Sequence, residues 1–148
     1  MDRLPGSVLF CCTRNAIRSP MAEGLMKHLF YKRVFTDSAG VRPGELDGFA
    51  VAVMDEIGID ITRHRPKSFD QLEDTSFDVI VSLSPEAHHS ALELTRTMAA
   101  EVEFWNTFDP SIMQGQGSRD QILDVYRQVR DQLLKRIKAR FGETAPLV

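Results

Sequence analysis

Cysteine is nearly missing from this 148-residue chain: there are two, Cys11 and Cys12, side by side. Neighbouring strand residues point to opposite faces, so a bridge between these two would strain the backbone. With no third thiol, a disulfide framework and a cysteine-rich zinc site are both excluded. An excess of basic charge is also lacking. The chain has 18 Lys and Arg against 21 Asp and Glu, a formal charge of −3. That balance argues against a nucleic-acid binder, which needs cations to displace phosphate counterions. No apolar run approaches the roughly 20 residues of a spanning helix, so no membrane partner is expected. The opening MDRLPGSVLFCC is too short and interrupted to read as a signal peptide. These absences leave an expectation of one cytoplasmic domain over residues 1–148, long enough to bury a real core.

What is present alternates. Residues 7–11 and 77–83 read as short buried strands, and 34–40 and 101–105 as two further strands. Between them lie helical patterns. Ala22, Leu25, Met26, Leu29 and Phe30 follow Pro20, with Ser19 as the expected N-cap. Leu46, Phe49, Ala50, Val53, Met54 and Ile57 form a helical stripe that Gly58 stops. A short helical piece is expected near 69–72, and a helix from Pro85 to about Ala99. A final helix carries Ile122, Val125, Tyr126, Val129, Leu133 and Ile137 on one face. The order predicts a three-layer α/β protein: a four-stranded parallel sheet with helices on both faces. In such folds a site forms beyond the carboxyl ends of the strands, where strand order reverses. The loop after the first strand is that place, and Cys12 lies there.

A loop running from a strand into a helix N-terminus offers an anion inward-pointing N–H groups and the positive end of a dipole. An arginine at its far end adds a planar donor fork suited to phosphate oxygens. A cysteine at the near end would sit beneath the anion, in a field that favours the thiolate. Charge, geometry and nucleophile point together to attack of sulfur on a phosphoryl group.

The run Cys12-Thr13-Arg14-Asn15-Ala16-Ile17-Arg18-Ser19-Pro20 resembles the signature of the low-molecular-weight protein tyrosine phosphatases. MAEGLMKHL, DSAG, VMDEIGIDITRHRPK, FDVIVSLS and the Asp109-Pro110 pair are similar to family segments in the expected order. The resemblance implies a flavodoxin-like strand order 2-1-3-4 and no metal or other cofactor. It implies that Cys12 is a nucleophile forming a phosphocysteine, and that Arg18 clamps the phosphoryl oxygens. Asp109 would be the general acid and then base. Thr13, Arg14, Ala16 and Ile17 would complete the phosphate-binding loop. Ser19 would donate to the thiolate, Asn15 would hold the loop's strained shape, and Ser38 and His64 would support it from outside. Phosphate or sulfate is the expected occupant, and a phosphotyrosine protein or a small phosphomonoester the expected substrate.

Three departures bear on that substrate. Ser111 and Ile112 follow Asp109-Pro110 where phosphotyrosine-specific members carry aromatic residues. VRPGELDG has no ring before Phe49, and Ile17 stands where many members have a second loop cysteine. These features are similar to the thioredoxin-coupled arsenate reductases, yet VSLSPEAHHSALELTRTMAAEV carries no resolving thiol. A reductase here would borrow thiols from an external donor such as glutaredoxin or mycothiol, and that reading ranks second to the phosphatase. A silent phosphate-binding module ranks third, because mere binding needs neither Cys12 nor Asp109. Cys11 is expected in the core, His88 and His89 on a solvated helix face, and Arg14, Arg63, Arg65 and Lys67 as solvated charges. Phe104, Trp105 or Phe108 could pack a ring near Asp109.

Overall fold

The structure, a computed structural model, describes residues 4–142. Four strands, β1 (Ser7–Cys12), β2 (Phe35–Gly40), β3 (Val79–Ser82) and β4 (Glu101–Phe104), form one sheet. Their order is β2-β1-β3-β4, as the resemblance implies, and every pair is parallel, as the alternation of strands and helices predicts. The helices are α1 (Arg18–Phe30), α2 (Gly48–Asp55), α3 (Pro85–Leu94) and α4 (Arg119–Phe141).

Period-2 alternation in β1 divides the core. Val8, Phe10 and Cys12 face the larger cluster, built with α1, α2 and α4. Leu9 and Cys11 face the smaller one, built with Ala87 and Ala91 of α3 and with Leu72 and Phe77. The two adjacent thiols therefore stand on opposite sides of the sheet. Cys11 is fully buried, and burial, then the neighbouring Cys12, pushes its thiol well above the ordinary range. Among the described residues no helix is long and apolar enough to cross a membrane.

Several boundaries differ from expectation, each for a local reason. Cys12 is the last residue of β1, paired with Gly40, rather than a loop residue. Ser19 lies inside the first turn of α1; the cap position is Ile17, with no side-chain capping bond. The Leu46 stripe becomes helix only from Gly48, because Asp47 caps it by accepting from Phe49 and Ala50 N–H. At its end Ile59 N–H reaches Met54 O (3.0 Å) and Gly58 N–H reaches Asp55 O (2.9 Å), a Schellman closure with Gly58 at φ +79°. Ile57 lies in that closing turn, 38% exposed rather than in the core. Helix α3 stops at Leu94, five residues short of Ala99, where Thr95 Oγ1 bonds Leu92 O (2.7 Å) and Thr97 Oγ1 bonds Leu94 O (3.4 Å). Threonine hydroxyls that take up last-turn carbonyls favour a stop. On α4 Leu123 is buried while Val125 is only half-buried, beside Phe108.

Candidate active site

The strand ends converge on the segment that follows β1. Its six carbonyls are all engaged on the outside. Cys12, Thr13, Arg14 and Ala16 accept from Val41, Arg42, Gly44 and Asp47 N–H at 3.2, 2.9, 2.9 and 3.2 Å. Ile17 O accepts from Met21 N–H (3.0 Å), and His64 Nε2 lies 3.1 Å from Asn15 O. The N–H and C=O of a trans peptide point opposite ways. Turning the carbonyls out therefore turns the loop N–H groups in, toward the uncapped end of α1, whose first turn holds no acidic residue. The result is a concave donor surface suited to a tetrahedral oxyanion.

Cys12 Sγ lies at its floor, accepting from Asn15 N–H (3.3 Å) and lying 2.9 Å from Ser19 Oγ. Asn15 Nδ2 donates to that same Ser19 oxygen (2.8 Å), so the serine proton is free to turn toward sulfur. Asn15 holds a left-handed φ of 53°, a conformation asparagine tolerates. Four partners fix it. Nδ2 also donates to Ser38 Oγ (2.9 Å), and Oδ1 accepts from Lys67 N–H (3.0 Å) with His64 Nε2 at 3.1 Å. Ser38 Oγ donates to Glu23 Oε1 (2.5 Å), and His64 Nδ1 lies 3.8 Å from the same oxygen. Two oxygens facing His64 Nε2 require the proton on that nitrogen. Burial lowers the pKa of this imidazole, with Glu23 opposing.

Gly40 is needed for steric reasons. A Cβ there would meet Asn15 N at 2.7 Å and Arg14 C at 2.9 Å. Arg18 is held from β4's side, Nη1 donating to Thr107 O at 2.9 Å. Its Nη2 is 3.8 Å from Asp109 Oδ2, while Asp109 Oδ1 accepts from Ser111 N–H (3.0 Å). One carboxylate oxygen is thereby fixed, and the other faces Arg18 and the cavity. That cavity, about 550 Å³, has Cys12, Arg14, Arg18, Glu45, Asp47 and Asp109 in its wall.

The fold thus gathers Cys12, Arg18 and Asp109 around one cavity, with Ser19, Asn15, Ser38 and His64 connected behind it. Thr13 turns away from this set, its hydroxyl donating to Ser84 Oγ (3.0 Å). Glu23, Lys67, Thr107 and Gly40 are supporting residues that sequence reasoning missed. Glu23 had a signal, lying one helical turn beyond Ser19 on the same face. Lys67 is not a solvated charge: its ammonium pairs with Asp37 Oδ1 at 2.6 Å. His88 is not on a solvated face either, with Nδ1 2.8 Å from Ser82 Oγ and the ring stacked on Phe104. Trp105 packs against Phe10 and Phe141, and Phe108 lines a different cavity together with Met113 and Val129. Among the described residues, no aromatic side chain stands in the wall of the Cys12 cavity. Among the described residues, no cluster of three or more His, Cys, Asp or Glu could hold a metal ion.

The chain is similar to a glutaredoxin arsenate reductase of Synechocystis sp., 31% identical over 132 residues, covering 88% of this chain and 92% of the relative. An arsenate reductase solved in its phosphate-binding state aligns with a TM-score of 0.70 at 29% identity, covering 92% of this chain and 96% of that one. The low molecular weight protein tyrosine phosphatase of T. tengcongensis aligns with a TM-score of 0.71 at 28% identity, covering 89% and 95%. The sequence model of the low molecular weight phosphotyrosine protein phosphatases matches residues 7–144, and the chain belongs to that family.

Proposed function

We propose that this chain reduces arsenate with the help of external thiols, Cys12 being the nucleophile. The observation that carries this reading is the cavity wall, which offers donors for a four-oxygen anion and, among the described residues, no ring to hold the aryl group of phosphotyrosine. The names of relatives such as the Synechocystis reductase support it. The loop N–H groups and Arg18 hold the oxygens while sulfur attacks arsenic. Asp109 gives its proton to the departing oxygen, which leaves as water. Cys11 faces the other side of the sheet, so no second thiol of the chain reaches the adduct. An external thiol must then approach arsenic from the mouth, in line with the S–As bond. It loses its proton to Asp109, forms a new S–As bond and releases the Cys12 thiolate. A second external thiol attacks the sulfur of the released adduct, and the S–As electron pair stays on arsenic. One arsenate and two thiols thus become arsenite, a disulfide and water.

Asp109 Oδ2 beside Arg18 favours a second reading, hydrolysis of phosphomonoesters, in which water replaces the thiol and no reductant is needed. One experiment separates the two: arsenite formation with dithiothreitol, and p-nitrophenyl phosphate hydrolysis, each with wild type and Cys12→Ser. Arsenite production lost in Cys12→Ser is the expected result. Cys12-dependent hydrolysis with no arsenite would overturn reduction in favour of the phosphatase.

A further inference from the structure

Charges around this site mostly settle into pairs. Arg42 meets Glu86, Lys67 meets Asp37 and Lys27 meets Glu23. Within the cavity wall, Arg18 is bonded to Thr107 and faces Asp109. Asp47 is fully used: Oδ1 caps α2, and Oδ2 accepts from Tyr126 OH (2.9 Å) and Gln114 Nε2 (2.7 Å). Two lining charges stand apart from this pattern. Among the described residues, no hydrogen bond or ion pair engages the side chain of Arg14 or of Glu45, although both line the cavity. They have opposite sign and share one wall, yet do not meet within the 4.0 Å of an ion pair. The Arg14 stem rests over Gly44, where even a Cβ would come 3.4 Å from Nε. The cavity, about 550 Å³, is many times the size of a four-oxygen anion and matches the space of a small organic ligand.

We propose that Arg14 and Glu45 are the specificity-determining pair for the attacking thiol. They select a small zwitterionic thiol of the cysteinyl-peptide class. A carboxylate of the thiol meets the Arg14 guanidinium and an ammonium meets Glu45, which leaves the sulfur between them above the cradle. This rests on the arsenate reading above, and the chemistry is the step given there. The thiol sulfur bonds to arsenic, its proton passes to Asp109, and the Cys12–arsenic bond breaks with its electron pair returning to sulfur.

The test compares four thiols at saturating arsenate: reduced glutathione (zwitterionic), 3-mercaptopropionate (anion only), cysteamine (cation only) and dithiothreitol (uncharged). Each is assayed by arsenite formation with wild type, Arg14→Met and Glu45→Gln. The score is kcat/KM relative to dithiothreitol, so a general loss of loop function cancels. For glutathione that ratio falls about three- to tenfold in each variant, chiefly through KM. 3-Mercaptopropionate loses its ratio only in Arg14→Met, and cysteamine only in Glu45→Gln. Ratios that stay at wild-type values in both variants overturn the pair while leaving arsenate reduction standing. Absence of arsenite with every thiol, dithiothreitol included, overturns the underlying reading and this proposal with it.

Discussion

Ser19 shows how much one hydroxyl can be asked to do. It accepts a hydrogen bond from Asn15 Nδ2 and turns its own proton toward Cys12 Sγ, so it ties loop shape to sulfur. Ser19→Ala is expected to cost about 1–2 kcal/mol of stability, because Asn15 Nδ2 keeps Ser38 as a partner. Turnover should fall further than that, by about ten- to a hundredfold, as measured by steady-state rates beside urea melts. Asp109→Asn should lose about 10²–10⁴ in rate on phenyl phosphate if hydrolysis is the activity, since that leaving group needs a proton. His64 makes a pH prediction. Its folded-state pKa is lowered by burial, with Glu23 opposing, while an unfolded histidine takes up a proton near about pH 6.5. Below that pH the unfolded chain binds more protons, so this contribution to stability is present above it and lost as pH falls through the folded value. In urea melts from about pH 7.5 to about pH 5.5, His64→Gln should show a flatter decline than wild type. Equal slopes would mean that His64 is not the group responsible. The loop itself was legible because a cysteine, five residues and an arginine lie together in sequence. The support was less so: Glu23 and Lys67 join Ser38 and Asn15 only after three separate segments have packed.

At the scale of elements, Asp47 carries an unusual share of the architecture. One oxygen starts α2, and the other receives Tyr126 of α4 and Gln114, which follows the short 3-10 turn Pro110–Met113. Asp47→Ala removes the cap and takes away the acceptor of the buried Tyr126 hydroxyl, which keeps only the bond donated by Gln114 Nε2 (2.8 Å), for an expected loss of about 2–3 kcal/mol. Tyr126→Phe removes only the second effect and should cost about 1 kcal/mol. Urea midpoints of both variants check the pair; equal losses would mean that the cap contributes nothing. Strand order and helix faces were readable because period-2 and period-3.6 burial are written along the chain, as in Val8, Leu9 and Phe10. Helix ends were not. The stop at Leu94 depends on where two threonine hydroxyls turn, and the start of α1 depends on an anion-facing end that has no capping side chain. Ser19 reads as a cap from its place before Pro20, but its hydroxyl is committed to the site.

Over the whole molecule the site is a meeting of strand ends. Cys12 closes β1, Gly40 closes β2, Thr107 follows β4 and holds Arg18, and Ser84, just past β3, receives Thr13. β1 lies between β2 and β3, and the chain leaves it toward different faces, so the cradle occupies the crevice where strand order reverses. An anion there would draw on α1, Arg18 and the loop at once, and none of these is arranged before folding. Binding to the folded state alone must therefore stabilise the entire sheet, by about 2.7 kcal/mol at a hundred times the dissociation constant. For a chain of this size that raises the melting temperature by about 5–10 °C. Phosphate and arsenate should both produce the rise in wild type, and in Cys12→Ser, which keeps the donors and loses only the proposed nucleophile. Arg18→Met should lose most of it, since the far rim of the cradle is then open. Chloride at matched ionic strength supplies the control for screening. A rise of the same size in Arg18→Met, or with chloride in wild type, would show that the anion is not held where the carbonyl-out loop and the guanidinium face each other.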